Sequence, residues 1–208
     1  SWLISHCIIL CLSLSGMIIL LITGNSVIRE RLIQLNRMAL SELQTSLDSV
    51  FVEIRDTSLQ IAFSHNLDIL AYKENFDTSA DHYNLYTFQR ELQQTFLSDE
   101  NCETIFLFFE RSGYIVTPDS VYDPAISSYM LETYTGILPS EWHDLITSPI
   151  HNRFFIFDNN GKKEIIFRLS VPLTNSNEKS AVLFAIPNRR KLESILRSHN
   201  FSDQGALL

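Results

Sequence analysis

A run of 27 residues without a single Asp, Glu, Lys or Arg, residues 2–28, constrains this chain more than any other feature. Its centre, residues 8–22, is Ile, Leu, Met and Cys broken only by Ser13, Ser15 and Gly16. An apolar helix needs ~20 residues to cross a ~30 Å hydrocarbon core. A secretory signal peptide has a shorter apolar part and a small-residue cleavage site, and no A-x-A-like site follows here. We therefore expect residues 1–28 to form a retained transmembrane helix.

Charge divides the chain into two parts. All 40 charged residues, 16 basic and 24 acidic, lie in residues 29–208, where they make up about 22%, close to the roughly 25% of a soluble domain. The composition excludes a polytopic membrane protein and a disordered tail, and predicts one globular domain over residues 29–200. The formal net charge of −8 and the lack of a basic cluster argue against nucleic acid as a direct partner. Only Cys102 lies outside the apolar segment, so we expect no disulfide within the domain.

Charge alone leaves the orientation in the membrane open. Arg29, Arg31 and Arg37 follow the apolar segment and no Lys or Arg precedes it, which by the positive-inside rule favours a cytoplasmic domain. The sequence does not start with Met, so we expect a more basic segment to precede it, and Glu30 and Glu42 dilute the local positive charge.

Helical periodicity continues beyond the apolar segment. Apolar residues recur every three or four positions from Ile28 to Val50 and Ile54, and no Gly or Pro interrupts residues 26–81. The pattern predicts a helix of about 40 residues, about 60 Å long, that leaves the membrane directly. We expect its distal half to lie on the core, with Leu47, Val50 and Ile54 buried, and two copies of the chain to pair along the helix.

The rest of the sequence predicts an α+β domain, in which five mostly antiparallel strands are flanked by helices. Short apolar runs between turn residues predict strands over 103–109, 114–117, 153–157, 163–171 and 179–186. Further helices are predicted over 83–97, from Asp123-Pro124 to about 134, after Pro139, and from Asn188 to about 199. Asn160-Gly161 predicts a two-residue hairpin turn between the third and fourth strands.

No catalytic signature accompanies this fold. The sequence has no G-x-S-x-G, H-E-x-x-H, G-x-x-x-x-G-K or Cys-x-x-Cys motif, and its six histidines are scattered without i, i+4 pairs. We therefore expect no catalytic residues, no metal site and no cofactor in this chain.

Aromatic residues suggest a pocket instead. Tyr114, Tyr122, Tyr129, Tyr134 and Trp142 lie between the first and second strand pairs, where the short helices would cover one face of the sheet. Aromatic walls with a few polar groups are typical of small-molecule sites. Plain core packing of the same side chains is the alternative.

Two arginines add a charge to this candidate site. If Asn160-Gly161 is a two-residue loop, Arg153 and Arg168 stand opposite each other, on one face of the hairpin with Phe155 and Ile166. Opposed like charges cost free energy unless an anion lies between them. A different register, or two solvated side chains splayed apart, are the alternatives.

The chain resembles the extracytoplasmic Cache-type sensor regions of membrane-anchored AraC-type transcription regulators and related sensor histidine kinases of Gram-positive bacteria. The resembling stretches cover most of the chain: residues 29–63 with Leu47-Asp48 and Gln60-Ile61-Ala62-Phe63, then Ile105-Phe106-Leu107-Phe108-Phe109, Tyr114-Ile115-Val116, Glu141-Trp142, Leu169-Ser170-Val171-Pro172-Leu173 and Gly205-Ala206-Leu207-Leu208. Each motif is weak alone, and their order carries the resemblance.

The resemblance implies a PAS-like (Cache) sheet, a domain outside the cytoplasm on a single-pass anchor, and a long helix that acts as the spine of the sensor. It also implies that residues 201–208 begin a further module and that the output lies beyond it. The function expected is therefore the sensing of a ligand or stimulus, most simply a small anionic molecule, for an AraC-type regulator or, as the alternative, a histidine kinase. A membrane-tethered interaction or structural domain without a pocket is the competing class.

Overall fold

A computed structural model describes residues 2–135, 137, 142, 146, 152–159, 162–171 and 180–198. Its first helix, α1, spans Trp2–Ala62 without a break, so the predicted transmembrane and stalk segments are parts of one helix. The chain forms two compact units. The first contains α1 up to Ser46, and the second runs from Leu47 to Ser198.

The first unit presents apolar side chains on its surface. Met17 and Leu20, for example, are 64% and 74% exposed. By length and composition, this N-terminal helix is the one element among the described residues that could cross a membrane, with a mean hydropathy of 1.5 over its most apolar window. An apolar surface of this length is stable in a bilayer and costly in water.

The second unit is built on a six-stranded sheet in the order β3-β2-β1-β6-β5-β4, with all neighbouring strands antiparallel. The strands are β1 (Cys102–Phe109), β2 (Ile115–Val116), β3 (Val121–Tyr122), β4 (Asn152–Asn159), β5 (Lys162–Val171) and β6 (Ala181–Pro187). This confirms the predicted α+β class. The prediction of five strands was one short, because the edge strand β3 has two residues and is too brief to show a period.

Strands β4 and β5 pair in the register predicted from the turn. Arg153 lies opposite Arg168 and Asn159 lies opposite Lys162, so the two strands are joined through positions 160 and 161. Those two residues, like Pro172, lie outside the described residues. A two-residue loop fixes the register of a hairpin, which is why this detail could be derived from sequence.

The remaining helices are α2 (His65–Ala71), α3 (Ser79–Leu97), α4 (Pro124–Thr135) and α5 (Arg189–Ser198). Helix α3 starts four residues earlier than predicted, because Thr78 and Asp81 form a capping box that satisfies its first N–H groups. Asn188 caps α5 as predicted, its Oδ1 accepting from the Arg190 and Lys191 N–H groups at 3.1 and 3.4 Å. Of the helix predicted after Pro139, only Trp142 and Ile146 are described, and both are helical.

Alternation along the strands gives the sheet two buried faces. On the α1 face, Ile105, Leu107, Phe167 and Leu169 form one cluster with apolar residues of α1, α2 and α3. The α4 face holds a second cluster. Its buried members are Phe106, Ile115, Leu131, Ile137, Trp142, Ile166, Val182, Phe184 and Ile186.

The distal part of α1 contributes to the α1 face as expected, with one correction. Val50 and Ile54 are 4% and 0% exposed, which confirms that this stretch lies on the core. The prediction that Leu47 is buried was wrong, since that residue is only half-buried. Burial begins one turn later, at Val50.

The described packing makes Ile54 a test of the spine. Ile54→Ala should lower the free energy of unfolding by about 2–5 kcal/mol, because it opens a cavity in a fully enclosed site. Val52 is 42% exposed on the same helix, and Val52→Ala should change it by no more than about 0.5 kcal/mol. Chemical denaturation of both variants measures the difference. Equal effects would mean that α1 does not pack on the sheet at Ile54.

Candidate functional site: a buried arginine on the α4 face

Arg168 is the largest fully buried side chain among the described residues, with 0% exposure. It lies on β5, two residues from Ile166 and two from Ser170, and side chains two residues apart in a strand point to the same face. Arg168 therefore points to the α4 face, and its register partner on β6 is Phe184. Its Nη2 donates to the backbone oxygen of Ile146 at 2.8 Å. The alternation of the strand thus carries a guanidinium into an apolar cluster.

The electrostatic state of Arg168 reflects two opposed effects. Burial lowers the pKa of the guanidinium, and the negative charge of Glu110 raises it in part. An arginine nevertheless stays charged in a protein. A buried cation of this kind is stable only where negative charge or hydrogen-bond acceptors surround it.

Trp142 lies beside this arginine on the α4 face. Its indole is 2% exposed and meets Phe184 edge-on, with ring centroids 4.6 Å apart, and Phe106 at 6.0 Å. Trp142 and Ile146 are four residues apart in sequence, and each is helical. Trp142 supplies an aromatic wall on this face, and the backbone of Ile146 supplies the acceptor for Arg168.

Two further side chains on this face carry hydrogen-bond donors that are not used among the described residues. Trp142 Nε1 and Ser170 Oγ are buried, and neither has a hydrogen-bond partner among the described residues. Ser170 is 1% exposed and lies two positions from Arg168 on the same face of β5. Buried donors without acceptors typically cost about 1–3 kcal/mol each. A ligand that brings acceptor oxygens would remove that cost.

The structure brings together some of the predicted site residues. Tyr122 is partly buried against the same cluster as Trp142, and the backbone of Arg153 lies opposite Arg168. Tyr114 packs on the α1 face, where its ring meets Phe76 edge-on at 5.0 Å. Tyr129 is 68% exposed on α4. Neither of these two tyrosines lies with the arginine, because Tyr114 packs on the opposite face of the sheet and the side chain of Tyr129 is exposed.

Sequence reasoning missed Ser170 and Glu110. Both could have been found by extending the alternation rule, since Ser170 is two residues from Arg168 and Glu110 continues the series of Phe106 and Phe108 in β1. In a sequence, a small or acidic residue near the end of an apolar run indicates the end of a strand. Ser170 and Glu110 were therefore not predicted as site residues.

Within the described residues, no group of three or more His, Cys, Asp or Glu side chains could hold a metal ion. The cysteine of the second unit offers no reactive thiol either. Cys102 is buried, and its burial, with the nearby charge of Asp99, raises the pKa of the thiol. The polar side chains of the α4 face among the described residues include the guanidinium of Arg168, the indole of Trp142 and the hydroxyl of Ser170.

Comparison with known proteins finds the following. No family model matches the chain, and no match was found among curated proteins. Among solved structures, the chain is similar to the periplasmic domain of LuxQ from Vibrio cholerae, with a TM-score of 0.47 and 16% identity over 78% of this chain and 68% of that one.

Two chemoreceptor domains are also similar. One is the ligand-binding domain of the Pseudomonas aeruginosa PAO1 amino acid chemoreceptor PctC in complex with GABA, with a TM-score of 0.39, 16% identity, and coverage of 77% of this chain and 63% of that one. The other is the sensory domain of the Campylobacter jejuni chemoreceptor Tlp3 with isoleucine bound, with a TM-score of 0.39, 11% identity and the same coverage. The chain thus spans less than two thirds of both chemoreceptor domains. These likenesses assign no residue role and no ligand to it.

The burial of Trp142 has a spectroscopic consequence. The chain has two tryptophans, of which Trp2 is 74% exposed and Trp142 is 2% exposed. Trp2→Phe should leave emission at the short wavelengths of an indole in an apolar site, and unfolding should shift it to the red. Trp142→Phe is the matched variant and should remove the emission of Trp142, with its red shift on unfolding of the second unit. Red-shifted emission from the folded Trp2→Phe chain would contradict the described packing.

Proposed function

We propose that residues 47–198 are the ligand-sensing domain of a membrane-anchored signalling protein, and that Arg168 binds an anionic group of the ligand. The observation that carries the proposal is the fully buried side chain of Arg168. It lies on one face with two donors, Trp142 Nε1 and Ser170 Oγ, that have no hydrogen-bond partner among the described residues. Three donor groups on one face, in apolar surroundings, are suited to a carboxylate or a similar oxyanion.

The chemistry of arginine supports an anion with two oxygens. A guanidinium presents a planar fork that can donate two parallel hydrogen bonds to one carboxylate. Its Nη2 donates to the backbone oxygen of Ile146, and the negative charge of Glu110 opposes the effect of burial on the pKa of the guanidinium. A bound carboxylate would offset the desolvation of Arg168 and would accept from the indole and hydroxyl groups.

Ligand binding on the α4 face would change the packing of α1 through the sheet that lies between them. Arg168 lies between Phe167 and Leu169, which point to the α1 face and belong to the same cluster as Val50 and Ile54. A ligand that binds one packing of this strand more tightly than another shifts the population between the two. The same shift would alter how α1 packs on the sheet.

Membrane attachment and output follow from the sequence resemblance. In this proposal, α1 crosses the membrane once, the second unit lies outside the cytoplasm, and two copies associate through the long helix. The output is an AraC-type transcription regulator, with a histidine kinase as the alternative. The apolar surface of α1 supports the membrane span.

A membrane-tethered interaction domain without a ligand is the second candidate. The close packing of Trp142 on Phe184 and Phe106 favours it, because these rings fill a core rather than line an open cavity. Under this function, no small molecule should stabilise the domain.

Replacing Arg168 separates the two functions. In the unaltered chain, a carboxylate ligand at 100 times its Kd should raise the free energy of unfolding by about 2.7 kcal/mol. Arg168→Met keeps an unbranched side chain without the charge, and the fold should persist, since apolar replacements of buried charges are often neutral. The stabilisation should disappear in this variant. Thermal unfolding with a panel of small carboxylates measures both effects.

Arg90→Gln is the matched control, because Arg90 is an exposed cation on α3 and its loss should leave the response unchanged. Arg168→Lys should retain only part of the response, since lysine keeps the charge but not the fork. If the carboxylate still stabilises the Arg168→Met variant, the anion binds at another site. A panel without any stabilising anion would favour the interaction domain.

Orientation is tested by accessibility from outside the cell. Asp77 is exposed in the loop between α2 and α3, and Asp77→Cys should react with a membrane-impermeant thiol reagent on intact cells. The unaltered chain is the control. Cys102 is buried with a raised pKa, and Cys7 and Cys11 lie in the apolar segment. Labelling only after lysis would place the domain in the cytoplasm.

A further inference from the structure

A cleft of about 440 Å³ opens at the end of the sheet where β1 begins and β6 ends. It is separate from the α4-face site, because Arg168, Trp142 and Ser170 do not line it. Glu103, which lines it, lies near the start of β1, whereas Glu110, whose charge acts on Arg168, follows the end of that strand. A volume of this size falls within the range of roughly 300–1,000 Å³ that small-molecule sites occupy.

Apolar side chains from three different elements form the walls of this cleft. Phe96 comes from the last turn of α3, Leu192 from α5 and Ile186 from β6. Such walls bury the apolar body of a ligand, and each Å² removed from water contributes roughly 25 cal/mol. The walls alone would accept many molecules, so the charges on the rim decide which kind is favoured.

Carboxylates dominate the rim. Among the described residues, Glu103, Asp119 and Glu164 line the cleft, together with one cation, Arg189, which is paired with Glu193 at 2.7 Å. Glu103 and Asp119 are exposed, and neither has an ion pair or side-chain hydrogen bond with any other described residue. The rim is therefore negative, with two carboxylates open to a cation.

We propose that this cleft binds an organic ammonium ligand, whose protonated amine meets Glu103 and Asp119 and whose apolar body lies on Phe96 and Leu192. A simple metal ion fits less well, since no group of three metal-ligating side chains occurs among the described residues. An anion fits least, because the rim would repel it. The charge preference is thus opposite to that of the Arg168 site, and this inference does not depend on the proposed function.

The experiment is calorimetric titration of the full chain in detergent micelles with three probes of one shape. Phenethylammonium carries the positive charge, 2-phenylethanol is its neutral analogue and 3-phenylpropionate is an anionic one. Affinity should fall in that order. Phenethylammonium binding should weaken as salt is raised, because the carboxylates are exposed and their attraction is screened.

Glu103→Gln with Asp119→Asn removes both charges and keeps the shapes of the side chains. This double variant should bind phenethylammonium about tenfold more weakly, which corresponds to about 1.4 kcal/mol. Glu132→Gln is the matched control, since Glu132 is exposed on α4 and does not line the cleft. It should bind phenethylammonium as the unaltered chain does.

Three results would overturn the inference: no heat of binding for phenethylammonium at millimolar concentration, equal affinity for the anionic probe, or an unchanged affinity in the double variant. The double variant should also keep the melting temperature of the unaltered chain and any stabilisation by carboxylates, because neither residue lies near Arg168. A carboxylate response without an ammonium response would leave the proposed function standing and remove only this inference.

Discussion

Strand β6 is the constraint on which the rest of the second unit depends. All seven of its residues, Ala181–Pro187, are buried, and it pairs with β1 on one side and β5 on the other. A strand that is covered on both faces must carry apolar side chains in both directions. Its odd-numbered residues Leu183 and Ala185 belong to the α1 face, and Val182 and Phe184 belong to the α4 face. Helices are therefore needed on both sides of the sheet, and the two faces cannot pack independently.

The buried arginine is a departure from this apolar pattern. Position 168 lies opposite Phe184, and its neighbours on the same face include the apolar Ile166. Burying a guanidinium costs free energy, and the hydrogen bond to Ile146 and the charge of Glu110 both act against that cost. Local departures from consistency of this kind are expected at functional sites. Cys102, in contrast, fits its buried place as a small apolar residue.

What could be read from the sequence depended on how local its cause is. The pairing of Arg153 with Arg168 was predictable because a two-residue turn sets the register of both strands, and the start of α4 because proline suits a first helical position. The edge strand β3 was not, since two residues show no period and Val121–Tyr122 becomes a strand only by pairing with β2. Tyr114 and Tyr129 show the same limit for the site: their proximity in sequence did not determine which face each would occupy.

The position of Arg168 within β5 explains how one residue can matter to both faces. Its neighbours Phe167 and Leu169 pack in the cluster that contains Val50 and Ile54 of α1, while its own side chain lies with Trp142 on the other side. A protein interior is close-packed, so a strand cannot move toward one face without changing its contacts on the other. Ile165 of the same strand lines the acidic cleft at the sheet's end. A displacement of β5 along its length would therefore change contacts at α1, at the arginine and at the cleft together. The two sites would be coupled in this way although they differ in charge and lie at different places on the sheet.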